Sequence, residues 1–293
     1  MIAAADIGGH TLTVGTADNG AVTAKITTAT PKGRTPQAVC ARIRELLAEA
    51  DCPAGSPLAL GVPGFVIDGT RVGACPNLNG WEGMTADDLS QMCGCPVTLA
   101  NDCDLFALGE MNRGAARDLD DFVFITLGTG VGGSVVIGRR LVRGVHGRTG
   151  EIGHFPLLDD RGCGCGGRSH LESFFSANVF ERAGEKYGYG GDMRVLWEQR
   201  ENRWLARPFA EGLRALSCVL VSLTCLLDPQ AIVIGGGLSN LEGLFDDLRD
   251  YMFPLLPPSY RPGPELRKAQ LGVDAPLLGG ELLIKNSDRS TSC

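Results

Sequence analysis

The chain has 293 residues, a formal net charge of −7 and a pI near 5.2, and its Lys and Arg are scattered, which argues against nucleic acid as the main partner because phosphate backbones call for clustered cations. With 44% hydrophobic residues it can build buried cores, of one large domain or two ordinary ones, and 41 glycines fit tight turns and close backbone approaches better than a helical bundle. No run of about 18 apolar residues stands out as a bilayer span, and Met1 to Asp6 lacks the charged start and long apolar core of a signal peptide, so a cytoplasmic protein with no membrane partner is expected.

In chain order, an apolar run at residues 2 to 7, the turn Gly8-Gly9, an alternating stretch from Thr11 to Val14, the hairpin signal Asp18-Asn19-Gly20 and a run from Ala21 to Thr27 predict a three-stranded meander. Val39, Ile43, Leu46 and Leu47 predict a helix over 37–50, and Leu58 to Val62 a buried strand. A short helix from Thr85, a strand from Val97 to Ala100 and a helix opening at Asp102 follow. The opening pattern then recurs: Phe122 to Leu127, the turn Gly128 to Gly133, Ser134 to Ile137, the turn at 138–140, and Leu141 to Arg143. That recurrence suggests two similar lobes. Helices are predicted at 173–187, 193–201, 203–227 and 241–251, the last capped by Asn240, with a strand from Ala231 to Ile234, a final strand near 269–273 and a helix over 276–285.

Three glycine-rich turns each follow an apolar strand: Gly8-Gly9, Gly128 to Gly133 and Gly235 to Gly237. Glycines let the backbone approach a phosphate and aim N–H groups at it. None is a Walker A loop, and a strand rather than a long helix follows Gly128-x-Gly130-x-x-Gly133, so a Rossmann dinucleotide site is disfavoured. Together, with Asp6 placed to position a hydrated Mg²⁺, they favour a triphosphate. Asp102 stands at a strand-to-helix junction, where a helix cap competes with a ligand role and on local sequence alone is the stronger reading.

The spacing His154-x₈-Cys163-x-Cys165-x₄-His170 offers four ligands of the kind zinc takes in closed tetrahedral sites, which have no open position for substrate, so the zinc is expected to be structural. Glu151 and Glu172 bracket these ligands. Cys93 and Cys95 lack a nearby His and do not suggest a metal, and Cys40, Cys52, Cys103, Cys218 and Cys225 read as small core residues.

Asp6-Ile7-Gly8-Gly9, Gly61-x-Pro63-Gly64, Pro76-Asn77-Leu78 with Trp81, Asn101-Asp102, Leu127 to Gly133, Glu151-Ile152-Gly153-His154, Cys163-x-Cys165-Gly166 and Leu171-Glu172 occur in one order from residue 2 to about 285. This combination closely resembles the ROK (repressor, open reading frame, kinase) family of sugar kinases, and is far more specific than any single glycine turn. The resemblance implies an α/β, actin-like ATPase (ribonuclease H-like) fold, two similar lobes with a cleft between them. Residues 1–115 plus 276–293 would form the N-terminal lobe, and 116–275 the C-terminal lobe with a zinc-binding loop at 151–172.

By the same resemblance, Asp102 is the general base that takes the proton from a sugar hydroxyl, usually that on carbon 6, as it attacks the γ-phosphate of ATP bound with Mg²⁺. Asn101, Glu151, His154 and Glu172 hold other hydroxyls, with Gly64 and Asn77 as further sugar contacts. Asp6, Gly8, Gly9 and Thr11, then Gly128, Thr129, Gly130, Gly132 and Gly133, then Gly235, Gly236 and Gly237 hold the nucleotide. His154, Cys163, Cys165 and His170 hold the zinc. Two departures stand out: His10 replaces the usual Thr after the first two glycines, and His170, preceded by Ser169 in place of Gly, replaces the usual third zinc cysteine.

The family's repressors carry a helix-turn-helix ahead of the first glycine motif, which here begins at residue 6, so no DNA binding is expected. Pro76-Asn77-Leu78-x-x-Trp81 is similar to the glucokinase-like members and points to glucose. N-acetylmannosamine or N-acetylglucosamine is the alternative substrate, and a catalytically silent sugar sensor the non-enzyme alternative, which retention of Asp102 and all three turns argues against. The family commonly forms homo-dimers or homo-tetramers.

Overall fold

The structure, a computed structural model, describes residues 1–290, with side chains described through Ser287. The chain forms two compact units: Met1–Leu119 with Arg139–Thr149 and the segment from Gln270 onward, and Asp120–Gly138 with Gly150–Ala269.

In the first unit, β1 (Ile2–Ile7), β2 (Thr11–Asp18) and β3 (Ala21–Ala29) form the meander, with Asn19 and Gly20 both at positive φ in the two-residue turn. Helix α1 (Pro36–Glu49) starts where the sequence supplies a Thr35 cap and Pro at its first position, and it buries Val39, Cys40, Ile43, Leu46 and Leu47. Strand β4 (Leu58–Val62) leads to a small hairpin of β5 (Val66–Ile67) and β6 (Arg71–Val72), then α2 (Ala86–Cys93), opened by a Thr85/Asp88 capping box. Strand β7 (Val97–Asn101) runs directly into α3 (Asp102–Arg113). The sheet order is β3-β2-β1-β4-β7, with β1, β4 and β7 parallel.

The second unit starts on β8 (Phe122–Leu127) and β9 (Val131–Ile137), and the two-residue β10 (Arg140–Leu141), which belongs to the segment Arg139–Thr149, stands at the end of their sheet. Helices α4 (Ala177–Tyr187), α5 (Met193–Glu198) and α6 (Ala206–Leu227) precede β11 (Ala231–Gly235), α7 (Leu244–Met252) and β12 (Glu265–Lys268). The order β10-β9-β8-β11-β12, with β8, β11 and β12 parallel, repeats the pattern of the first sheet. Duplicated organisation is therefore real at the level of topology.

Helix α8 (Ala275–Ser290) closes the described chain within the first unit. It packs by small residues: a Cβ on Gly279 would lie 1.9 Å from Leu105 O, one on Gly109 would lie 2.1 Å from Ala275 O, and one on Gly280 would lie 2.8 Å from the Cβ atoms of Ala4 and Ala59. Ala4 and Ala59 are thus small because a helix lies against them.

Several expectations need correction. The last strand is β12 at Glu265–Lys268 and not 269–273, where Gly272 at positive φ begins a 3₁₀ turn. Asn240 does not cap α7, which starts after Gly243, because residues 237–240 form their own 3₁₀ turn. The helix expected from 173 begins at Ala177 after the 3₁₀ turn Leu171–Ser173. Cys40 and Cys103 are buried as expected, but Cys52 and Cys218 are half-buried and Cys225 is exposed. Helix α6 is long and apolar enough, by length and composition alone, to cross a membrane, although Arg207, Glu211 and Arg214 interrupt its apolar run. Its apolar side is accounted for by the core of the second unit, where Leu213, Leu216, Val219, Leu220 and Leu223 pack with Phe180, Phe209 and Ile232. The final expected helix extends to Ser290, and residues 291–293 lie outside the described residues.

Candidate functional site

In the first unit, candidate residues gather at the carboxyl ends of the parallel strands β1, β4 and β7, where open α/β sheets bind ligands. Asp6 is paired in register with Thr13 on β2 and Gly61 on β4. A Cβ on Gly61 would lie 2.8 Å from Leu105 Cδ1, so glycine there makes room for that side chain, and Asp6 Oδ1 lies 3.4 Å from the same point. That oxygen is buried and has no hydrogen-bond partner among the described residues. Burial first, and the nearby Asp102 charge second, push the Asp6 carboxyl up to about 7.

On local sequence alone Asp102 reads as a cap, and the structure divides that task. The cap is Asn101, in extended conformation, with Asp102 the first residue of α3. Asn101 Oδ1 and Asp102 Oδ1 both accept from Cys103 N, each at 2.8 Å. Asn101 Nδ2 donates to Gly64 O at 3.1 Å, tying two predicted sugar contacts together. Gly64 must be glycine, because a Cβ would lie 2.6 Å from Ala74 O. Beyond it, Cys75 Sγ donates to Pro63 O at 3.3 Å, and burial, helped by the Asp102 charge, pushes its thiol up to about 12. Cys75 was missed in the sequence; its position just before Pro76-Asn77 was the available signal.

The Pro76 to Trp81 loop is held by its backbone and its indole. Trp81 is fully buried and donates from Nε1 to Arg34 O at 2.8 Å, while Arg34 Nη1 donates to Asn77 O at 3.3 Å and Asn79 Nδ2 to Gly33 O at 3.0 Å. Asn77 itself is exposed. Gly8 N donates to Thr11 O at 2.7 Å, closing the tight turn between β1 and β2, and a Cβ on Gly9 would meet nothing within 4 Å. His10 and Thr11 are exposed on this turn.

In the second unit, the parallel pairing of β8 and β11, with Gly235 opposite Thr126, puts the turns Gly128–Gly133 and Gly235–Gly237 at one sheet edge. Gly236, at φ 82°, has no room for a side chain, since a Cβ would lie 2.3 Å from Leu127 O. Cβ atoms on Gly128 and Gly237 would face open space, and Thr129 is exposed.

The Cys/His segment is a hairpin. Leu157 N donates to Ser169 O at 2.7 Å, Leu171 N to Phe155 O at 3.0 Å and Cys163 N to Gly167 O at 2.9 Å. This brings ligand atoms of His154, Cys163, Cys165 and His170 within 4.8 Å of one another. His154 Nδ1 lies 3.3 Å from His170 Nδ1, and Cys165 Sγ lies 3.2 Å from that same nitrogen. The edges of a zinc tetrahedron with ordinary Zn–N and Zn–S bonds are about 3.3–3.8 Å, so the donor set and its spacing fit Zn²⁺. His154 Nε2 lies 3.6 Å from Glu151 Oε2, leaving Nδ1 toward the ligand cluster.

Two further residues build this site and were not singled out as functional. A Cβ on Gly167 would lie 2.5 Å from His170 Cε1, so glycine makes room for the imidazole. Ser169 adopts φ 60°, the left-handed conformation that glycine enters freely, and its hydroxyl donates to Asp159 O. The departure from Gly at this position is therefore a substitution at a strained backbone site, stabilised by a local hydrogen bond. Glu172, two residues after His170, accepts from Val131 N at 3.0 Å through Oε2.

The ROK family pattern matches residues 2–287. The chain is 31% identical over 304 residues to a glucokinase of Thermotoga maritima, covering 96% of each, and 32% identical over 275 residues to an N-acetyl-D-glucosamine kinase of Erwinia tasmaniensis, covering 87% of this chain and 89% of that one. A ROK family glucokinase of Streptomyces griseus, solved with glucose and AMPPNP, superposes with a TM-score of 0.81 at 29% identity, over 96% of this chain and 98% of that one. The architecture is the actin-like ATPase fold of these kinases, and the chain belongs to the ROK family.

Proposed function

We propose that this protein is an ATP-dependent sugar kinase that phosphorylates a hexose, glucose at its 6-hydroxyl, with Asp102 as the general base. The observation that carries this reading is the carboxylate pair. Asp102 opens a helix at the carboxyl edge of the parallel strands, close enough to Asp6 for its charge to raise that group. Phosphoryl transfer asks for in-line positioning, charge neutralisation and one acceptor for the hydroxyl proton. Asp102 suits the last role, and the orphaned Asp6 oxygen suits a hydrated Mg²⁺ carried in with the triphosphate.

The sugar hydroxyls fall to Gly64, Asn77, Asn101, Glu151, His154 and Glu172. The nucleotide falls to Asp6, Gly8, Gly9 and Thr11, to Gly128, Thr129, Gly130, Gly132 and Gly133, and to Gly235 to Gly237. Zn²⁺ on His154, Cys163, Cys165 and His170 is structural, since four protein ligands leave no position for substrate. Its part is to fix the hairpin whose ends carry Glu151 and Glu172.

Glucose is favoured by the Pro76-Asn77-Leu78-x-x-Trp81 loop and by the likeness to glucokinases of two organisms. N-acetylglucosamine, supported by the Erwinia relative, or N-acetylmannosamine is the second reading. An ADP-release assay over glucose, mannose, allose, fructose and the two N-acetyl sugars, with and without Mg²⁺, tests this. Mg²⁺-dependent turnover highest on glucose is the expected result. Turnover highest on an N-acetyl sugar replaces the substrate, and none on any sugar removes the kinase reading in favour of a sensor.

A further inference from the structure

We propose that Glu172 is a positioning residue for the glycine turn after β8, and that it ties the order of that turn to the metal hairpin. The inference rests on the reading of this turn as a nucleotide contact, and goes beyond the sugar role assigned to Glu172 above.

The turn is gripped from the metal side at several points. Glu172 Oε2 accepts from Val131 N at 3.0 Å, and a Cβ on Gly130 would lie 2.2 Å from that same oxygen. Gly130 is therefore glycine because a carboxylate lies over it. Ala177 N donates to Gly128 O at 2.8 Å, and Ser176 Oγ donates to Glu172 O at 3.0 Å, so the segment from 172 to 177 is stitched to residues 128–131. The other root of the hairpin reaches the same place, since a Cβ on Gly153 would lie 2.0 Å from Val131 O.

Both roots carry a proposed metal ligand, His154 next to Gly153 and His170 two residues before Glu172. Joining the two imidazoles on one ion fixes the spacing of the roots and hence the placement of Glu172. Leu171 and Phe175, both fully buried, make the platform between them rigid. Neutral packing alone does not call for a carboxylate here. A carboxylate acceptor on Val131 N–H holds the turn so that its remaining N–H groups are set before a phosphate arrives.

The test is ADP binding by titration calorimetry without sugar, together with amide hydrogen exchange over residues 128–133. Glu172→Ala should raise the ADP Kd about tenfold, the worth of one charge-assisted hydrogen bond, and speed exchange at Val131. Glu172→Gln keeps an acceptor oxygen and should stay within about threefold of wild type by the same scale. Removing the metal from the wild-type protein should reproduce the loss seen in Glu172→Ala, and removing it from that variant should add nothing. Additive losses would sever the metal from the turn and overturn the coupling. Unchanged ADP Kd and unchanged Val131 protection in Glu172→Ala, with only the sugar KM altered, would overturn the positioning role. If the wild-type protein binds no ADP, the nucleotide reading of the turn fails, and the exchange rates still decide whether Glu172 orders it.

Discussion

The Asp102 carboxylate stands close enough to Asp6 that its charge adds to burial in lifting the Asp6 carboxyl from an ordinary value of 3.8 to about 7. Between those values the folded, ligand-free protein holds a proton that the unfolded chain has released. The stability contributed by neutral Asp6 is thus complete below about pH 3.8 and is lost as pH rises through about 7. Asp6→Asn, which cannot ionise, should gain in Tm relative to wild type as pH rises across that window. Thermal unfolding of both proteins at constant ionic strength measures it, and a constant Tm difference would mean that Asp6 is ionised throughout.

The zinc hairpin is tested at the ligand that departs from the family pattern. His170→Cys should retain close to one metal per chain, because thiolate and imidazole are both zinc ligands of similar bond length. His170→Ala should lose most of it, with chelator-induced release faster by at least tenfold, in the range seen when metal-site partners are removed. Elemental analysis of the purified proteins is the measurement.

Ser169 offers a test of the backbone beneath that site. Its φ of 60° costs about 1–2 kcal/mol for a residue with a Cβ, and branching raises the cost. Ser169→Gly should leave metal content unchanged, whereas Ser169→Val, which adds a branched side chain and removes the hydroxyl held by Asp159 O, should lower both metal content and Tm.

Trp81 fixes the loop that carries Asn77. Trp81→Phe leaves Arg34 O without its indole donor and should cost about 1–3 kcal/mol, while Trp81→Ala adds a large cavity and should cost about 3–5 kcal/mol. Urea unfolding midpoints of the two variants against wild type give these values.

Much of the fold is legible because β4 and β11, each between two parallel neighbours, are continuous apolar runs buried on both faces, and β1 and β8 are nearly so. What was lost lies at the edges. Strand β12 is an edge strand reading Glu265-Leu266-Arg267-Lys268 with only Leu266 buried, so it carries no apolar signal. The β5–β6 hairpin is two residues per strand, although Asp68-Gly69, both at positive φ, marked its turn.

The candidate site was legible as glycines and ligands, but not as their pairings. Glu110 is structural: it is fully buried and accepts from Ala115 N, Gln270 N and Leu271 N, which no local pattern announces. The same holds for Glu172 on Val131 N and Asn101 on Gly64 O. Bonds such as those to Gln270 N, Val131 N and Gly64 O join residues far apart in sequence, and spacing carries no information about them.

The central claim rests on Asp102 and is tested most directly by Asp102→Asn. The variant keeps the shape of the side chain and an oxygen able to accept from Cys103 N, but cannot take the hydroxyl proton. With saturating glucose and Mg²⁺-ATP its kcat should fall by about 10²–10⁴-fold, while glucose binding measured by calorimetry stays within a few-fold of wild type. Near-normal turnover in this variant would contradict the assignment of Asp102 as the base.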